Sequence, residues 1–368
     1  MCQKKRELQQ KFLTVLHEMY KKQHLILFTD AWTPQINGVV TTLSGVLPAA
    51  AKYNFEVTVI HPYLDTFRRA RLFWYPEIEF VLNPWRIKGL VPYIGQQHSI
   101  HIVTEGPIGW AARAWCRKNK LNYTTGYHTN YAEYLKRSLH IPLFISEYAM
   151  RRFHNDSSAI FVPSKSTRDK LVQKGYNEES IVLWSRGADR VIFRGGPQFK
   201  NRSFLKAEKI NLLYVGRISK EKNVEDFLKL AENSEYHLWV VGDGPERERL
   251  EKLYCQYFSN ITFVGYKTGE ALVEYYAAAD VFVFPSKTDT LGIVNIEAMS
   301  CGIPVVAYNV EGPRDTVEHG LGGFLGDNLA DLIAPALKLP WQGIVKNAER
   351  HTWEKAAETF FTNLTSAV

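Results

Sequence analysis

The chain has few of the features that mark secreted, metal-binding or membrane-spanning proteins. Its 368 residues contain only four cysteines, scattered without the spacing of a disulfide framework or a zinc site. No apolar run approaches the roughly 20 residues of a membrane span, and there is no signal-peptide core. These absences predict a cytoplasmic protein of a reducing compartment without membrane-spanning segments.

Three motifs of nucleotide chemistry are also absent. There is no G-x-G-x-x-G fingerprint and no G-x-x-x-x-G-K-[ST] loop, so a Rossmann dehydrogenase and a P-loop phosphotransferase both lack their main signal. No Asp-x-Asp pair occurs, so a metal-dependent sugar-nucleotide site of that type lacks its usual ligands. We therefore expect neither a metal nor a cofactor.

The chain carries an excess of positive charge, with a formal net charge of +7. Such a charge favours anionic partners, but no nucleic-acid motif or aromatic stacking platform accompanies it, so nucleic acid is not expected. Part of the excess lies in residues 1–23, where apolar residues recur at helical spacing among lysines and an arginine. This N-terminal extension is either an amphipathic helix on an anionic membrane surface or a solvated helix packed on the body.

Strands and helices alternate along the rest of the chain, which predicts an α/β fold with parallel sheets. The predicted strands are 24–29, 56–61, 99–103, 123–128, 159–162 and 181–184 in a first half, and 211–215, 237–241, 261–264, 281–284 and 304–307 in a second. The turn-rich, charged segment 194–209 reads as the linker. We assign a first Rossmann-like domain to 24–195, a second to 196–345 and a helical end to 346–368. Two such doubly wound domains imply a cleft between them, where ligands bind beyond the strand ends.

The most informative segment follows the apolar strand 281–284. Asp289 lies in a short loop, the small residue Gly292 opens a helix, and Glu297 lies on that helix eight residues after Asp289. Two carboxylates can bind two hydroxyl-rich parts of one ligand, and backbone amides at a helix start bind phosphate. This combination predicts a nucleotide-sugar site.

A cationic loop precedes the Asp289 segment in the same half of the chain. Arg217 and Lys222 lie five residues apart after a strand, so both cations can converge on one pyrophosphate, although a solvated basic loop would have the same composition. Gly265-Tyr266-Lys267 ends another strand, where a base could stack. In the first half, Gly38 opens a helix, and His128 ends a strand, a position that is also typical of a structural histidine.

Together these segments resemble the retaining glycosyltransferases of family 4, over roughly residues 24–365. Asp289-x7-Glu297, followed by Ala298-Met299-Ser300-Cys301-Gly302-Ile303-Pro304, resembles the family's E-x7-E motif and its continuation. Gly216-Arg217 through Glu221-Lys222 is similar to its G-R-x-x-x-E-K. Pro34-Gln35-Ile36-Asn37-Gly38-Val39 resembles a loop of members that glycosylate lipids. The resemblance implies the GT-B fold, two Rossmann-like domains facing across a cleft, with a final helix that returns to the first domain.

The resemblance also implies a role for each matching residue. Asp289 would hold the hydroxyls of the donor sugar, Glu297 those of the ribose, and Arg217 and Lys222 would neutralise the leaving diphosphate. Phosphate would also be bound by the loop and helix start, Thr290, Leu291, Gly292 and Ile293. The remaining candidates are Gly38 under the diphosphate, His128 at the transferred sugar, Tyr266 and Lys267 beside the base, and Asn37 and Glu105 on the acceptor side.

The implied activity is metal-independent transfer of a hexose, with retention, from a UDP- or GDP-sugar to a lipid or saccharide acceptor. A lipid acceptor would place the protein on the inner face of a membrane. One departure is Asp289, where the family usually has the longer Glu. It keeps open a second interpretation, a nucleotide-sugar-binding protein of the same fold with weak or lost transferase activity.

Overall fold

The computed structural model describes residues 22–35, 37–72, 75–91, 94–128, 142–194, 196, 208–289 and 291–368. The predicted N-terminal extension, except its last two residues, lies outside this part of the chain. Thr290 and most of the predicted linker also lie outside the described residues.

The strands keep the order that the alternating pattern predicts. They are β1 (Gln23–Phe28), β2 (Phe55–Ile60), β3 (Arg69–Leu72), β4 (Tyr75–Val81), β5 (His98–Ile102), β6 (Thr124–Gly126), β7 (Ala159–Val162), β8 (Ile181–Leu183), β9 (Ile210–Val215), β10 (Tyr236–Val241), β11 (Ile261–Gly265), β12 (Val281–Phe284), β13 (Val305–Tyr308) and β14 (Gly323–Gly326).

Helices connect most of these strands. They are α1 (Gly38–Val46), α2 (Pro107–Lys118), α3 (Leu143–His154), α4 (Lys165–Gln173), α5 (Val224–Leu228), α6 (Arg247–Cys255), α7 (Gly269–Ala278), α8 (Ile293–Ser300), α9 (Pro313–Thr316), α10 (Leu329–Ala336), α11 (Trp341–Ala348) and α12 (Trp353–Thr362). Short 3-10 turns occupy Leu47–Tyr53, Pro84–Gly89, Glu178–Ser180, Lys220–Lys222 and Lys229–Glu232.

The described chain forms two compact units. The first comprises the described residues up to Val162 together with Lys174–Trp184 and Ala357–Val368, and the second comprises Pro163–Gln173 and Ser185–Ala356. Residues 185–194, which the sequence reading assigned to the first half, therefore lie in the second unit. The physical reason is apolar burial, because Ala188 and Phe193 pack into the hydrophobic core of that unit.

The first unit contains a six-stranded parallel sheet in the order β2-β1-β5-β6-β7-β8. Its core forms where Phe28 and Ile102 of neighbouring strands meet Ile108 and Ala112 of α2. The end of the chain belongs to this unit: Phe360 of α12 stacks on Trp184 with ring centroids 4.8 Å apart. The backbone amide of Ala367 donates to the carbonyl of His98 at 2.7 Å.

The second unit contains another six-stranded parallel sheet, in the order β11-β10-β9-β12-β13-β14. Along β9, Leu213 and Val215 face one apolar core while Leu212 and Tyr214 face the other, as expected for a strand covered by helices on both sides. Counted within the unit, the order is 3-2-1-4-5-6, the arrangement of a dinucleotide-binding Rossmann domain. The predicted α/β fold with two doubly wound parallel sheets is thus confirmed.

Three strands were not predicted. β3 and β4 form an antiparallel hairpin, and β14 extends the second sheet at its edge. β14 has the sequence Gly323-Phe324-Leu325-Gly326, and two glycines at its ends gave it the composition of a turn. In the part of the chain that the structure describes, no helix has the length and apolar character needed to cross a membrane.

Candidate functional site

The strand order of the second unit places its two central loops side by side. β9 and β12 are parallel neighbours, with Leu213 paired to Phe282, and the strand order reverses between them. Open α/β sheets bind ligands beyond the strand C termini at this switch point. Arg217 follows β9 and Asp289 follows β12. Topology therefore brings together the cationic loop and the first carboxylate of the predicted site.

Direct contacts join these two loops. The Lys222 ammonium Nζ lies 2.5 Å from Oδ1 of Asp289, and the side chains are 24% and 21% exposed. The Thr288 hydroxyl donates to the backbone carbonyl of Glu221 at 3.2 Å. Lys222 is itself fixed by its backbone amide, which donates to the carbonyl of Ser219 at 3.0 Å. A charged pair that a ligand can reach thus lies at the switch point.

The carboxylate of Asp289 is held in its charged form. Burial alone would raise its pKa, but the Lys222 charge and hydrogen bonds from Lys222 and Ser286, with the nearby Arg186 charge, lower the pKa below its usual value. Arg186 is only 6% exposed. Burial lowers the pKa of its guanidinium to about 10, against the opposing pull of Asp289, so it stays protonated at neutral pH. The site therefore holds one anion whose charge is balanced by two cations.

The helix start behind Asp289 depends on two glycines. Gly292 is the N-cap of α8 with φ 77°, in the left-handed region that favours glycine. Gly312 has φ 91°, and a Cβ there would lie 2.4 Å from the carbonyl oxygen of Asp289. The amide of Asn295 already donates to the carbonyl of Gly292 at 3.0 Å, so the helix-start amides that lack an acceptor within α8 are those of Ile293 and Val294, in the loop-to-helix segment that follows Asp289.

The second carboxylate of the motif, Glu297, has a different environment. The phenol of Tyr276, which is fully buried, donates to Oε2 of Glu297 at 2.9 Å. Burial raises the pKa of Glu297 to about 7, although the hydrogen bond from Tyr276 opposes the rise. Near neutral pH this group can therefore act as acceptor or donor toward a hydroxyl-bearing ligand.

The other predicted residues of this half lie on the same unit. Arg217 is partly exposed, and its backbone carbonyl accepts a hydrogen bond from the Tyr214 hydroxyl at 2.7 Å. Tyr266 is 50% exposed and, with the partly exposed Lys267, follows β11 at the sheet edge. Leu291 is buried at 1% exposure and belongs to the hydrophobic core of this unit. The role of each of these residues toward a donor stays a prediction.

In the first unit, a residue that the sequence analysis did not single out occupies the corresponding switch point. Asp30 follows β1, and its Oδ1 accepts the amide of Ile108 at 2.8 Å while Oδ2 accepts the Thr104 hydroxyl at 2.9 Å. Burial raises its pKa to about 6 against these hydrogen bonds. The carboxylate thus holds the N terminus of α2 against the end of β1.

Glu105, predicted on the acceptor side, is buried at 4% exposure in this structure. Its Oε1 lies 3.2 Å from Nε2 of the fully buried His154, whose Nδ1 lies 2.9 Å from the Thr125 hydroxyl. Such a carboxylate has a structural partner already. A contact between Glu105 and an acceptor stays a prediction.

The remaining first-unit candidates have local structural roles. Asn37 caps α1, accepting the amides of Val39 and Val40 at 3.0 and 3.1 Å. Gly38 is the exposed first residue of that helix. His128 is 6% exposed and packs edge-on against Trp184, with ring centroids 5.5 Å apart. Roles of these residues at a donor or acceptor are not contradicted and stay predictions.

Sequence reasoning missed Arg186, Ser286 and Tyr276. Arg186 follows the strand β8 by three residues, a strand-end position like those of Arg217 and Asp289, so its position carried a signal. Tyr276 lies on α7 at an apolar position, and nothing in the sequence marked it as a site residue. Among the described residues, no group of three or more His, Cys, Asp or Glu side chains is arranged to hold a metal ion. The expectation of a metal-independent site stays a prediction.

Two family models match the chain and together span most of it. The model described as Glycosyltransferase Family 4 matches residues 36–191, and the model described as Glycosyl transferases group 1 matches residues 197–359. Each match falls on one of the two Rossmann-like halves.

Curated proteins give the same result. The chain is 32% identical to the sulfoquinovosyl transferase of Arabidopsis thaliana over 61% of this chain and 46% of that protein, so the match spans less than half of the relative. It is 26% identical to a GDP-mannose-dependent alpha-mannosyltransferase of Corynebacterium glutamicum, covering 84% of this chain and 78% of the relative. The alpha-monoglucosyldiacylglycerol synthase of Streptococcus pneumoniae is also 26% identical, with 77% and 70% covered.

Solved structures share the fold. Sucrose-phosphate synthase from Thermosynechococcus elongatus superposes with a TM-score of 0.73 at 20% identity, covering 93% of this chain and 98% of that one. Anabaena HepE in complex with UDP and glucose gives a TM-score of 0.70 at 16% identity, with 92% and 98% covered. From the two family models and these relatives, the chain belongs to the family 4 glycosyltransferases and has their GT-B fold.

Proposed function

We propose that this protein transfers a hexose from a UDP- or GDP-sugar to a lipid or saccharide acceptor, with retention and without a metal. The observation that carries the proposal is the convergence of Lys222 and Asp289, 2.5 Å apart, at the switch point beside the start of α8. Of the relatives, one is named as GDP-mannose-dependent and another makes a glycolipid. Both kinds of substrate fit a site of this composition.

The chemistry of the proposed reaction requires stabilisation of a leaving group. When a nucleoside diphosphate departs from a sugar, negative charge develops on its β-phosphate. Lys222, Arg217 and the first amides of α8 supply preorganised positive charge in the second unit. The sugar becomes oxocarbenium-like, and front-face attack by the acceptor hydroxyl would give retention. Glu297 and Asp289 would bind hydroxyls of the ribose and of the sugar.

A lipid acceptor at a membrane surface is the finer part of the proposal. Beyond the basic stretch of residues 1–23, the first unit exposes Leu82 (57%) and Trp85 (62%) next to the exposed cations Arg86 and Lys88. Ile87, at 1% exposure, anchors this turn in the core. Apolar and basic side chains together are typical of surfaces that bind anionic lipid headgroups.

The proposal is tested in two stages. A thermal-shift screen with UDP, GDP and ADP identifies the base of the preferred donor nucleotide, because a ligand that binds only the folded state raises the unfolding temperature. Radiolabelled UDP- and GDP-sugars are then incubated with the protein and with lipid or saccharide acceptors, in the presence of a chelator. Chelator-resistant label in an acceptor fraction, with the anomeric configuration kept, is the expected result.

The second interpretation, a binding protein without transferase activity, predicts a different outcome. A nucleotide would stabilise the fold, but no lipid or saccharide fraction would acquire label. Lys222→Met should reduce the thermal shift, because nucleotide binding is weakened, and should abolish the transfer. A protein that transfers sugar normally with this substitution would contradict the site proposed here.

A further inference from the structure

Lys222, the cation that a diphosphate would need, is already paired with the carboxylate of Asp289. Both side chains are partly exposed, so a ligand can reach them. Asp289 stays ionised because Lys222 and Ser286 donate hydrogen bonds to its carboxylate and the charges of Lys222 and Arg186 favour the ionised form. In the ligand-free protein, Lys222 is therefore neutralised from within the site. Any phosphate that approaches Lys222 meets a carboxylate already bound there.

We infer that Asp289 makes the site discriminate between an intact nucleotide sugar and the free nucleoside diphosphate left after transfer. This inference rests on the proposed function, which places the diphosphate at Lys222. The carboxylate acts as an internal competitor for the ammonium. It favours release of the product and limits inhibition by the free nucleotide.

The physical basis is a difference in hydrogen-bond donors between the two ligands. When a diphosphate takes Lys222, Asp289 loses its contact with the ammonium and lies beside a second anion, which is unfavourable at short range. A nucleotide sugar compensates, because its sugar hydroxyls can donate to the carboxylate in place of Lys222. A free nucleoside diphosphate has no such hydroxyls at that end, so it binds against an uncompensated repulsion.

Arg186 supports this arrangement. Its guanidinium is buried at 6% exposure and stays charged near Asp289. Together with the hydrogen bond from Ser286, the Arg186 charge lowers the Asp289 pKa independently of Lys222, so it favours a carboxylate that can accept a sugar hydroxyl when Lys222 turns to a ligand. Asp289 thus changes partner rather than charge during the cycle.

The test compares free nucleotide with nucleotide sugar in the full-length protein. UDP, GDP, UDP-glucose and GDP-mannose are titrated calorimetrically into wild type and Asp289→Asn. The substitution removes the competing charge, so we expect the free nucleotide of the preferred base to bind about tenfold more tightly. The nucleotide sugar, which loses its carboxylate contact, should bind no more tightly than to wild type.

A double-variant comparison assigns the effect to the ion pair. In a Lys222→Met background, Asp289→Asn should tighten binding of the free nucleotide less than it does in the presence of Lys222, because only the direct repulsion is relieved and there is no ammonium to release. Asp289→Glu keeps the charge and should keep the wild-type preference. Asp289→Ser serves as a second neutral variant if Asp289→Asn does not fold, and the same tightening is expected.

Two results separate the possible failures. If Asp289→Asn or Asp289→Ser binds free nucleotide as weakly as wild type or more weakly, the inference is overturned, and Asp289 instead orients Lys222 for the phosphate. If wild type binds none of the four ligands, the proposed function itself has failed and the inference falls with it.

Discussion

The phenol of Tyr276 donates a hydrogen bond of 2.9 Å to Oε2 of Glu297, inside the second unit. The bond favours the ionised carboxylate, whereas burial favours the neutral acid and is the stronger effect, so the pKa of Glu297 lies near 7. This second carboxylate of the motif therefore titrates close to neutral pH, unlike Asp289, whose pKa is lowered by Lys222 against its own burial.

Donor affinity should depend on pH through Glu297. If the carboxylate accepts hydrogen bonds from the ribose, binding strengthens as the pH rises from about 6 to about 8 and the group loses its proton. Tyr276→Phe removes the bond that favours the ionised form, so the pKa rises and the binding profile moves to higher pH. Calorimetric titration of the preferred nucleotide across this range checks the shift. Tyr254→Phe, a phenol on α6, is the matched control and should leave the profile unchanged.

The same titration affects stability in the absence of ligand. The pKa of Glu297 is raised in the folded state, from 4.5 to about 7, so over this range the folded protein binds its proton more tightly than the unfolded chain. The free energy of unfolding should therefore fall as the pH rises from 4.5 through 7. Asp30, raised from 3.8 to about 6, contributes with the same sign.

Glu297→Gln isolates this contribution to stability. The amide cannot ionise, so the variant should lose less stability than wild type between about pH 5 and pH 8. Urea unfolding at several pH values measures the difference. An equal pH dependence in the two proteins would show that the Glu297 pKa is not raised by folding.

Lys222 should contribute more to donor binding than any other lysine of its loop. A charged hydrogen bond contributes about 1.5–3 kcal/mol, so Lys222→Met should weaken binding of the preferred nucleoside diphosphate by roughly ten- to a hundredfold. Lys220→Met is the matched control, since Lys220 is exposed and lies two residues away on the same turn. Equal losses in the two variants would indicate a general effect of charge rather than a contact.

The sequence predicted the α/β class and most strands because their signals are local. A buried parallel strand such as Val281–Phe284 is a continuous apolar run, here bounded by Asp280 and Pro285, and its bounds were predicted without error. β14 was missed because Gly323 and Gly326 are turn residues out of context. A Cβ on Gly323 would lie 1.9 Å from the backbone carbonyl oxygen of Val305, so the close approach of β14 to β13 requires a glycine at this position.

The candidate site was predictable in part for a similar reason. Arg217, Lys222 and Asp289 follow strands and Glu297 lies within α8, and the positions of these elements could be read from the chain. The pairing of Lys222 with Asp289 and of Tyr276 with Glu297 could not be read, because it depends on which strands are neighbours. Only the order β9-β12 brings residues 67 positions apart to 2.5 Å.

The pair of Glu105 and His154 should contribute to the stability of the first unit. Removing one partner of a buried pair leaves a polar group without compensation, so His154→Leu should lower the free energy of unfolding by about 3 kcal/mol. The double variant Glu105→Leu with His154→Leu removes both polar groups and should regain part of that loss. Urea unfolding of both variants measures this. Near-normal stability of His154→Leu would leave Glu105 open to a role toward the acceptor.

The proposed membrane association can be tested at two surfaces. Removing residues 1–20 tests the predicted amphipathic helix, and the pair Leu82→Ser with Trp85→Ser tests the exposed turn of the first unit, whose side chains are more than half exposed. Each change should weaken co-sedimentation with vesicles that contain anionic lipid, because each removes apolar contact at the interface. Binding of soluble nucleotide should be unchanged in both.

The control for the turn is a chemically similar pair in the second unit. Leu253→Ser with Tyr257→Ser removes side chains that are 42% and 75% exposed on α6 and the turn after it. This control should co-sediment like wild type, and raising the salt concentration should release wild type from the vesicles, because exposed charges are screened. Equal losses for the two pairs would mean that any exposed apolar residue contributes. Unchanged co-sedimentation of both the truncated protein and the Leu82/Trp85 variant would remove the membrane from the proposed function while leaving the donor site untouched.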